Sequence, residues 1–323
     1  MKNPYERPDG HPPQPSGIGL ALGGGLARGF AHIGVLKSFE RHGIKPSFVA
    51  GTSIGAVVGG CYLAGKLAEL EEWALSLTRY KVFSYLDFKM RSPGLIGGGK
   101  LISMMEEHLK GVQIEQLPCP FVTIACDLKT GHEVWLRKGP LIEAMRASFA
   151  LPGIFAPVKK DGRFLIDGAL VNPVPTSVCQ ALGARMTIAV DLNADIIGKA
   201  AEPGKSYQKI IGFDIFDDDA SIPPEQQSFF SSFSLASRLF KREDQNAPSI
   251  FGVMVSALNI IQDRLTRSRL AGEPPDVHVK PHIGHIGLLE FEKARELILA
   301  GEAAAERSMP KIKAAVDVFL GQN

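Results

Sequence analysis

At 323 residues, with 45% hydrophobic and 22% charged side chains, the chain has the size and composition of a globular protein with a sizeable core. A net charge of +2 excludes bulk attraction to nucleic acid, and no run of about eighteen apolar residues is present to span a bilayer. Cys61, Cys119, Cys126 and Cys179 are scattered without a C-x-x-C pair, which reads as reduced thiols and not as a disulfide frame or a metal site.

Residues 1–16 are Pro-rich and polar with no apolar signal-peptide region, so a flexible tail and a cytoplasmic start are expected, followed by one domain over 17–323. Ile18-Gly19-Leu20-Ala21-Leu22 reads as a first buried strand, and apolar residues recur with helical spacing from Phe30 to Phe39. Between them lies the loop Gly23-Gly24-Gly25-Leu26-Ala27-Arg28. A glycine loop in this place suggests a dinucleotide site, but the G-x-G-x-x-G fingerprint fails. Gly23 and Gly25 meet Arg28 where the third glycine belongs, and a window starting at Gly24 has Leu26 at its second glycine. Consecutive backbone N–H groups at a helix start also suit an oxyanion formed in acyl transfer. Two further matches, Gly60 to Lys66 and Gly94 to Lys100, continue with Leu where a P-loop needs Ser or Thr for magnesium.

Phe48-Val49-Ala50 leads into Gly51-Thr52-Ser53-Ile54-Gly55, a G-x-S-x-G turn opening into small and apolar residues. This is the outline of a nucleophile elbow. Gly51 and Gly55 remove Cβ atoms where a sharp strand-to-helix turn crowds the backbone, and Ser53 is pushed outward at a helix N-terminus. Capping alone would also account for a Ser at a helix start.

Helices are expected over Lys66–Tyr80 and Leu101–Leu109, with a flexible loop at Arg91–Gly99 between them. Phe121–Cys126 has the continuous apolar, β-branched character of a buried strand, and Glu133–Arg137 follows as its partner. A helix over Leu141–Phe149, a strand at Arg163–Ile166, a helix near Val174–Leu182 and a strand at Met186–Val190 complete an alternation that predicts an α/β sheet covered on both faces. Asp167-Gly168 ends the Arg163 strand at a turn, where a carboxylate can be aimed into a crevice. Ser53, the glycine loop and Asp167 together supply a nucleophile, oxyanion donors and a base.

Four ordered tracts give the chain a family likeness. They are Leu22 to Leu36, Gly51 to Gly55, Arg146 to Pro157, and Asp167-Gly168-Ala169 with Asn172-Pro173-Val174-Pro175. The chain resembles the patatin-like phospholipases, of the bacterial type related to the catalytic domain of neuropathy target esterase. The resemblance covers 18 to about 190, with a further tract at Gln262 to Leu289. It implies a three-layer α/β/α sandwich with a mostly parallel central sheet and a helical insertion. It also implies hydrolysis of lipid acyl esters by a Ser53–Asp167 dyad, with an oxyanion hole at Gly24, Gly25 and Leu26, supported by Gly23, Arg28, Gly51, Gly55 and Gly168. No metal or cofactor is expected. Leu26 stands where many relatives carry a glycine; its N–H can still donate while its side chain narrows the pocket.

A Ser-His-Asp triad is the competing arrangement, with His278, His282 or His285 downstream of Asp167. The elbow's arrival after a single earlier strand fits the dyad order better. His32 reads as structural, and Arg28 as a loop-orienting residue or a phosphate ligand. The acidic run Asp214, Asp217, Asp218 and Asp219 lacks the glycine and terminal Glu of a calcium loop.

The stretch 200–271 departs from the core pattern. Phe229, Phe230, Phe233, Leu235, Leu239 and Phe240 lie beside Arg238, Lys241 and Arg242, followed by the apolar run Phe251–Ile261. An active-site lid, a membrane contact through 228–261 on a protein peripheral to the inner membrane face, a helix pair completing the core, and a homodimer contact all fit this composition. Two helices, near Leu288–Arg307 and Ile312–Leu320, are expected to close the chain. An acyltransferase using the same acyl-enzyme and a lipid-binding regulator remain the functional alternatives.

Overall fold

The structure, a computed structural model, describes residues 17–78, 99–194 and 250–321. One sheet of eight strands organises it. Five strands run parallel in the order β3 (Phe121–Asp127), β2 (Pro46–Thr52), β1 (Ile18–Leu22), β7 (Met186–Val190) and β8 (Val277–Val279). β4 (Glu133–Leu136) and β6 (Arg163–Asp167) pair antiparallel with β3, and β5 (Val158–Lys160) pairs antiparallel with β6. β1, β3 and β7 are buried at every position, as parallel strands covered on both faces must be, which is why they read as continuous apolar runs.

The helices are α1 (Ala31–Arg41), α2 (Ile54–Leu63), α3 (Leu67–Leu75), α4 (Gly99–Leu109), α5 (Leu141–Ser148), α6 (Thr176–Ala181), α7 (Ile250–Gly272) and α8 (Ala294–Leu320). Side chains alternate across the sheet. Leu20, Leu22, Ile188 and Val190 pack into a large cluster with α1, α2, α3, α5 and α8. Ala21, Ala50, Val122 and Ala189 point the other way, against Val178 and Cys179 of α6 and the partly buried Leu270 of α7. Helix, sheet and helix thus form the three layers expected.

The register places the chain ends that matter. Thr123 pairs with Gly51 on one side and Leu136 on the other, so β2 and β4 flank β3 on opposite edges. Ala125 pairs with both Val134 and Asp167, so β6 lies on the edge that β2 occupies. Thr52 stands opposite Ile124 and Asp167 opposite Ala125. The carboxyl ends of β2 and β6 therefore meet on adjacent rungs of the same strand.

Two expectations shift. The closing helices are a single helix, α8, which continues through Pro310. Ala304, Ala305, Met309 and Ile312 keep one face buried on both sides of that proline, so packing overrides the lost backbone hydrogen bond. Of the apolar stretch 200–271, α7 carries the described part, and its mid-region lies over the carboxyl ends of the strands; the tail 1–16, the loop at 91–98, the acidic run 214–219 and the aromatic tract 228–242 lie outside the described residues. Among the described residues no helix is long and apolar enough to cross a membrane.

α1 leaves the glycine loop and is held by α8 through a glycine-to-backbone crossing. A Cβ at Gly34 would collide with the carbonyl of Ile298, and one at Gly301 with the carbonyl of Ala31. Gly301→Ala is therefore expected to lower stability by about 1–3 kcal/mol, read as a reduced denaturant midpoint at unchanged slope.

Candidate active site

The elbow is built by close approach. A Cβ on Gly51 would stand 2.6 Å from the Cα of Ala56, and one on Gly55 would run into the carbonyl of Leu22 at the end of β1. Both glycines thus let α2 start against the ends of two strands. Ser53 takes the sharp turn itself, at φ 55° and ψ −126°, a conformation that costs of order 1–3 kcal/mol in a residue with a side chain.

A hydrogen-bond frame holds that backbone. The N–H of Ser53 donates to Ser148 Oγ at 2.9 Å, and Ser148 Oγ donates to the carbonyl of Ile124 at 2.6 Å. Ser148 closes α5 and is fully buried, so one hydroxyl ties the elbow to the middle of the sheet. Thr52 Oγ1 donates to the carbonyl of Asn172 at 2.8 Å, fixing the elbow to the turn after β6. Nothing in the sequence marks Ser148 beyond its place in the Arg146–Pro157 tract, because its role depends on where α5 ends relative to β3.

Ser53 Oγ donates to Asp167 Oδ2 at 2.6 Å. Asp167 Oδ1 accepts from the N–H of Ala169 at 2.8 Å, and the N–H of Asp167 is held by the carbonyl of Ala150. A Cβ on Gly168 would strike the carbonyl of Ile124, so this position must be glycine for Asp167 to reach Ser53. Ser53 and Asp167 are 3% and 1% exposed. Burial pushes the Asp167 carboxyl up to about 7, against the opposing pull of the Ser53 and Ala169 hydrogen bonds. Such a carboxyl can both take and return a proton near neutral pH.

The glycine loop lies across from this pair. A Cβ on Gly24 would stand 3.3 Å from the Cβ of Ser53 and 3.2 Å from that of Ala169. Gly24 was expected to donate to the oxyanion, and the structure corrects this: its N–H is committed to the carbonyl of Pro173 at 3.0 Å, as that of Gly23 is to Val190. Gly25 and Leu26 line the cleft beside Ser53, and no backbone acceptor among the described residues takes their N–H groups. Leu26 holds φ 49°, a left-handed backbone that glycine would adopt without strain.

His32 and Arg28 brace the loop from behind. His32 Nε2 lies 2.7 Å from the carbonyl of Gly23, which can only accept, so Nε2 carries the proton. Burial lowers its pKa to about 4, which keeps the ring neutral. Arg28 is fully buried and donates from Nε to the carbonyl of Ile286 at 2.8 Å, while the N–H of Ala27 meets the carbonyl of Leu288. Its Nε is thus spent within the fold, on the segment that ends at Leu288. Two of the downstream histidines are engaged elsewhere: His278 Nε2 lies 3.2 Å from Asp191 Oδ2, and His285 Nε2 lies 2.7 Å from Glu296 Oε1.

α7 covers the site. Val255, Leu258, Asn259 and Gln262 on its inner face meet Leu26, Leu151 and Leu288 around a narrow cleft that opens on Ser53 and Asp167. Leu151, Ile154, Val255, Leu288 and Leu289 form an apolar cluster of their own, separate from the main core.

A three-layer α/β/α protein whose elbow serine bonds a buried carboxylate, beside free N–H groups of a glycine loop, is built like a serine hydrolase. The patatin-like phospholipase family profile matches residues 20–179. An uncharacterized NTE family protein of Mycobacterium tuberculosis is 34% identical over 327 positions, covering 90% of this chain and 91% of that protein. The human patatin-like phospholipase domain-containing protein 6 is 33% identical over 184 positions, 55% of this chain and 13% of that protein. Among solved structures, human GIVD cytosolic phospholipase A2 overlaps 90% of this chain and 60% of its own at 10% identity and a TM-score of 0.38, too weak a likeness to carry an argument. The chain belongs to the patatin-like phospholipase family, with the NTE proteins among its relatives.

Ser148→Ala strips the Ser53 N–H and the Ile124 carbonyl of their partner together. The expected result is a fall in kcat of about 10- to 100-fold at nearly unchanged KM, the signature of a displaced Ser53, measured by steady-state ester hydrolysis.

Proposed function

We propose that the protein is a serine acyl hydrolase cleaving fatty-acyl esters of lysophospholipids, phospholipids or related lipids through an acyl-enzyme. Lipid ester hydrolysis is the general chemistry of its family. The observation that supports the assignment of roles is the 2.6 Å hydrogen bond from Ser53 Oγ to Asp167 Oδ2. As Ser53 Oγ attacks the ester carbonyl, its proton passes to Asp167. The N–H groups of Gly25 and Leu26 hold the developing oxyanion, each worth on the order of 3 kcal/mol. The tetrahedral intermediate collapses, the C–O bond to the alcohol breaks, and Asp167 returns its proton to the leaving alkoxide. Water then attacks the acyl-enzyme, losing a proton to Asp167 and releasing the fatty acid and the Ser53 hydroxyl.

A base serves only when ionised. With the Asp167 carboxyl near 7, kcat/KM is expected to fall as pH drops through about 7, where an unperturbed Asp would hold activity down to about 4. Ser53→Ala and Asp167→Asn should each lower kcat by about 10⁴-fold or more with the fold retained, scored by hydrolysis of a panel of lysophospholipids and short-chain esters and by fluorophosphonate labelling. Activity persisting in Asp167→Asn but lost in His278→Ala would overturn the dyad. Transfer to glycerol or lysolipid in place of water would reassign the enzyme as an acyltransferase.

The reading extends to peripheral contact with a lipid surface through α7, whose outer residues Val253, Ile260 and Ile261 are 49%, 52% and 53% exposed. Apolar side chains exposed on the outside of a helix suit it to lie at an interface. Paired Ile260→Asp and Ile261→Asp substitutions should reduce sedimentation with anionic liposomes while leaving hydrolysis of a soluble short-chain ester in place; undiminished sedimentation would exclude this face.

A further inference from the structure

The inner face of α7 is not uniform. Val255, Leu258, Asn259 and Gln262 follow one another at helical spacing and all line the cleft over Ser53. The N-terminal part of this face belongs to an apolar wall: Val255 packs with Leu151, Ile154 and Leu288, and Met254 is close enough to Gly153 that a Cβ there would clash with its Cε. One turn further along, the face becomes two carboxamides. Asn259 buries its Oδ1 without a hydrogen-bond partner among the described residues, and Gln262 is 9% exposed. Leaving a buried amide oxygen unpaired costs about 1–3 kcal/mol, so its place in the lining of this cleft calls for a ligand group to complete it.

We infer that α7 reads the two halves of the substrate separately, with the acyl chain lying against Val255 and Leu151 and the alcohol half of the ester hydrogen-bonded by Asn259 and Gln262. The assignment rests on the hydrolase reading and names the residues that choose its leaving group. A carboxamide both donates and accepts, as an alcohol hydroxyl does. Among the described residues the cleft lining carries no Lys or Arg, and its ionisable group is the Asp167 carboxyl, so these residues offer a phosphate no cation beside the scissile bond. The chemistry that fits is a neutral hydroxyl next to the ester oxygen, as in a glyceryl moiety with a free hydroxyl.

The test compares glyceryl monolaurate with propyl laurate, which share the acyl chain and the three-carbon alcohol and differ in the two hydroxyls. In Asn259→Leu/Gln262→Leu, kcat/KM for glyceryl monolaurate is expected to fall about tenfold, the discrimination given by one or two neutral hydrogen bonds, while propyl laurate changes by less than about twofold. The two single variants, each expected to lose about threefold on the glyceryl ester alone, decide the matter should the double variant fail to fold. An equal fall for both esters would assign these residues a merely structural part, and no fall for either would show that the alcohol half lies elsewhere; either overturns the inference. Failure of the hydrolase reading itself looks different: wild-type protein would turn over neither ester and Ser53 would not take up a fluorophosphonate, which removes the basis of this assignment too.

Discussion

Everything at the site depends on two strands ending against each other. β2 and β6 approach along the same edge of β3 from opposite directions, and their last residues sit on neighbouring rungs, opposite Ile124 and Ala125. That abutment brings Ser53 and Asp167, 114 residues apart in sequence, within hydrogen-bond distance. The carbonyl of Ile124 lies at the junction. It accepts from Ser148, which in turn holds the elbow, and it leaves no room for a side chain at residue 168. Sheet register, elbow backbone and carboxylate placement are therefore one constraint expressed three times.

The arrangement works against stability. Ser53 and Leu26 hold left-handed backbone without being glycine, and a carboxyl is buried with no cation bonded to it among the described residues. Because the folded protein holds the Asp167 proton more tightly than the unfolded chain does, its contribution to stability is fullest below the ordinary Asp pKa of about 4 and is lost as pH rises through about 7. The pH range in which Asp167 can act as a base is thus the range in which the fold bears the cost of ionising it. Local rules of this kind are broken where function requires it, and the large cluster on the α8 side of the sheet supplies the compensating burial.

Much of this was legible in the residues. The buried parallel strands are apolar at every position, and Gly51 and Gly55 announce a close approach that the backbone of Ala56 and the carbonyl of Leu22 account for. The glycine loop was legible as a row of N–H donors, but not which of them are free. Gly24 looks no different from Gly25 in sequence; only the tertiary position of Pro173 takes its N–H away. His278 is a plausible third catalytic member by chain order, and only the placement of Asp191 shows where its nitrogen is directed. Pro310 reads as a helix end because local propensity is local, whereas the buried stripe from Ala304 to Ile312 is set by what α8 packs against.

The β5–β6 hairpin that delivers Asp167 is short and lies at the margin of the sheet. β6 touches β3 through three residue pairs, and β5 has β6 as its strand partner. Elements of this kind open locally at a lower free energy than the central strands. Under the proposed dyad, catalytic competence and foldedness are then two different cooperative units. A chain whose hairpin has frayed keeps its central strands, its elbow and its glycine loop, yet holds a serine with no carboxylate, so warming would extinguish turnover before the bulk of the sheet melts.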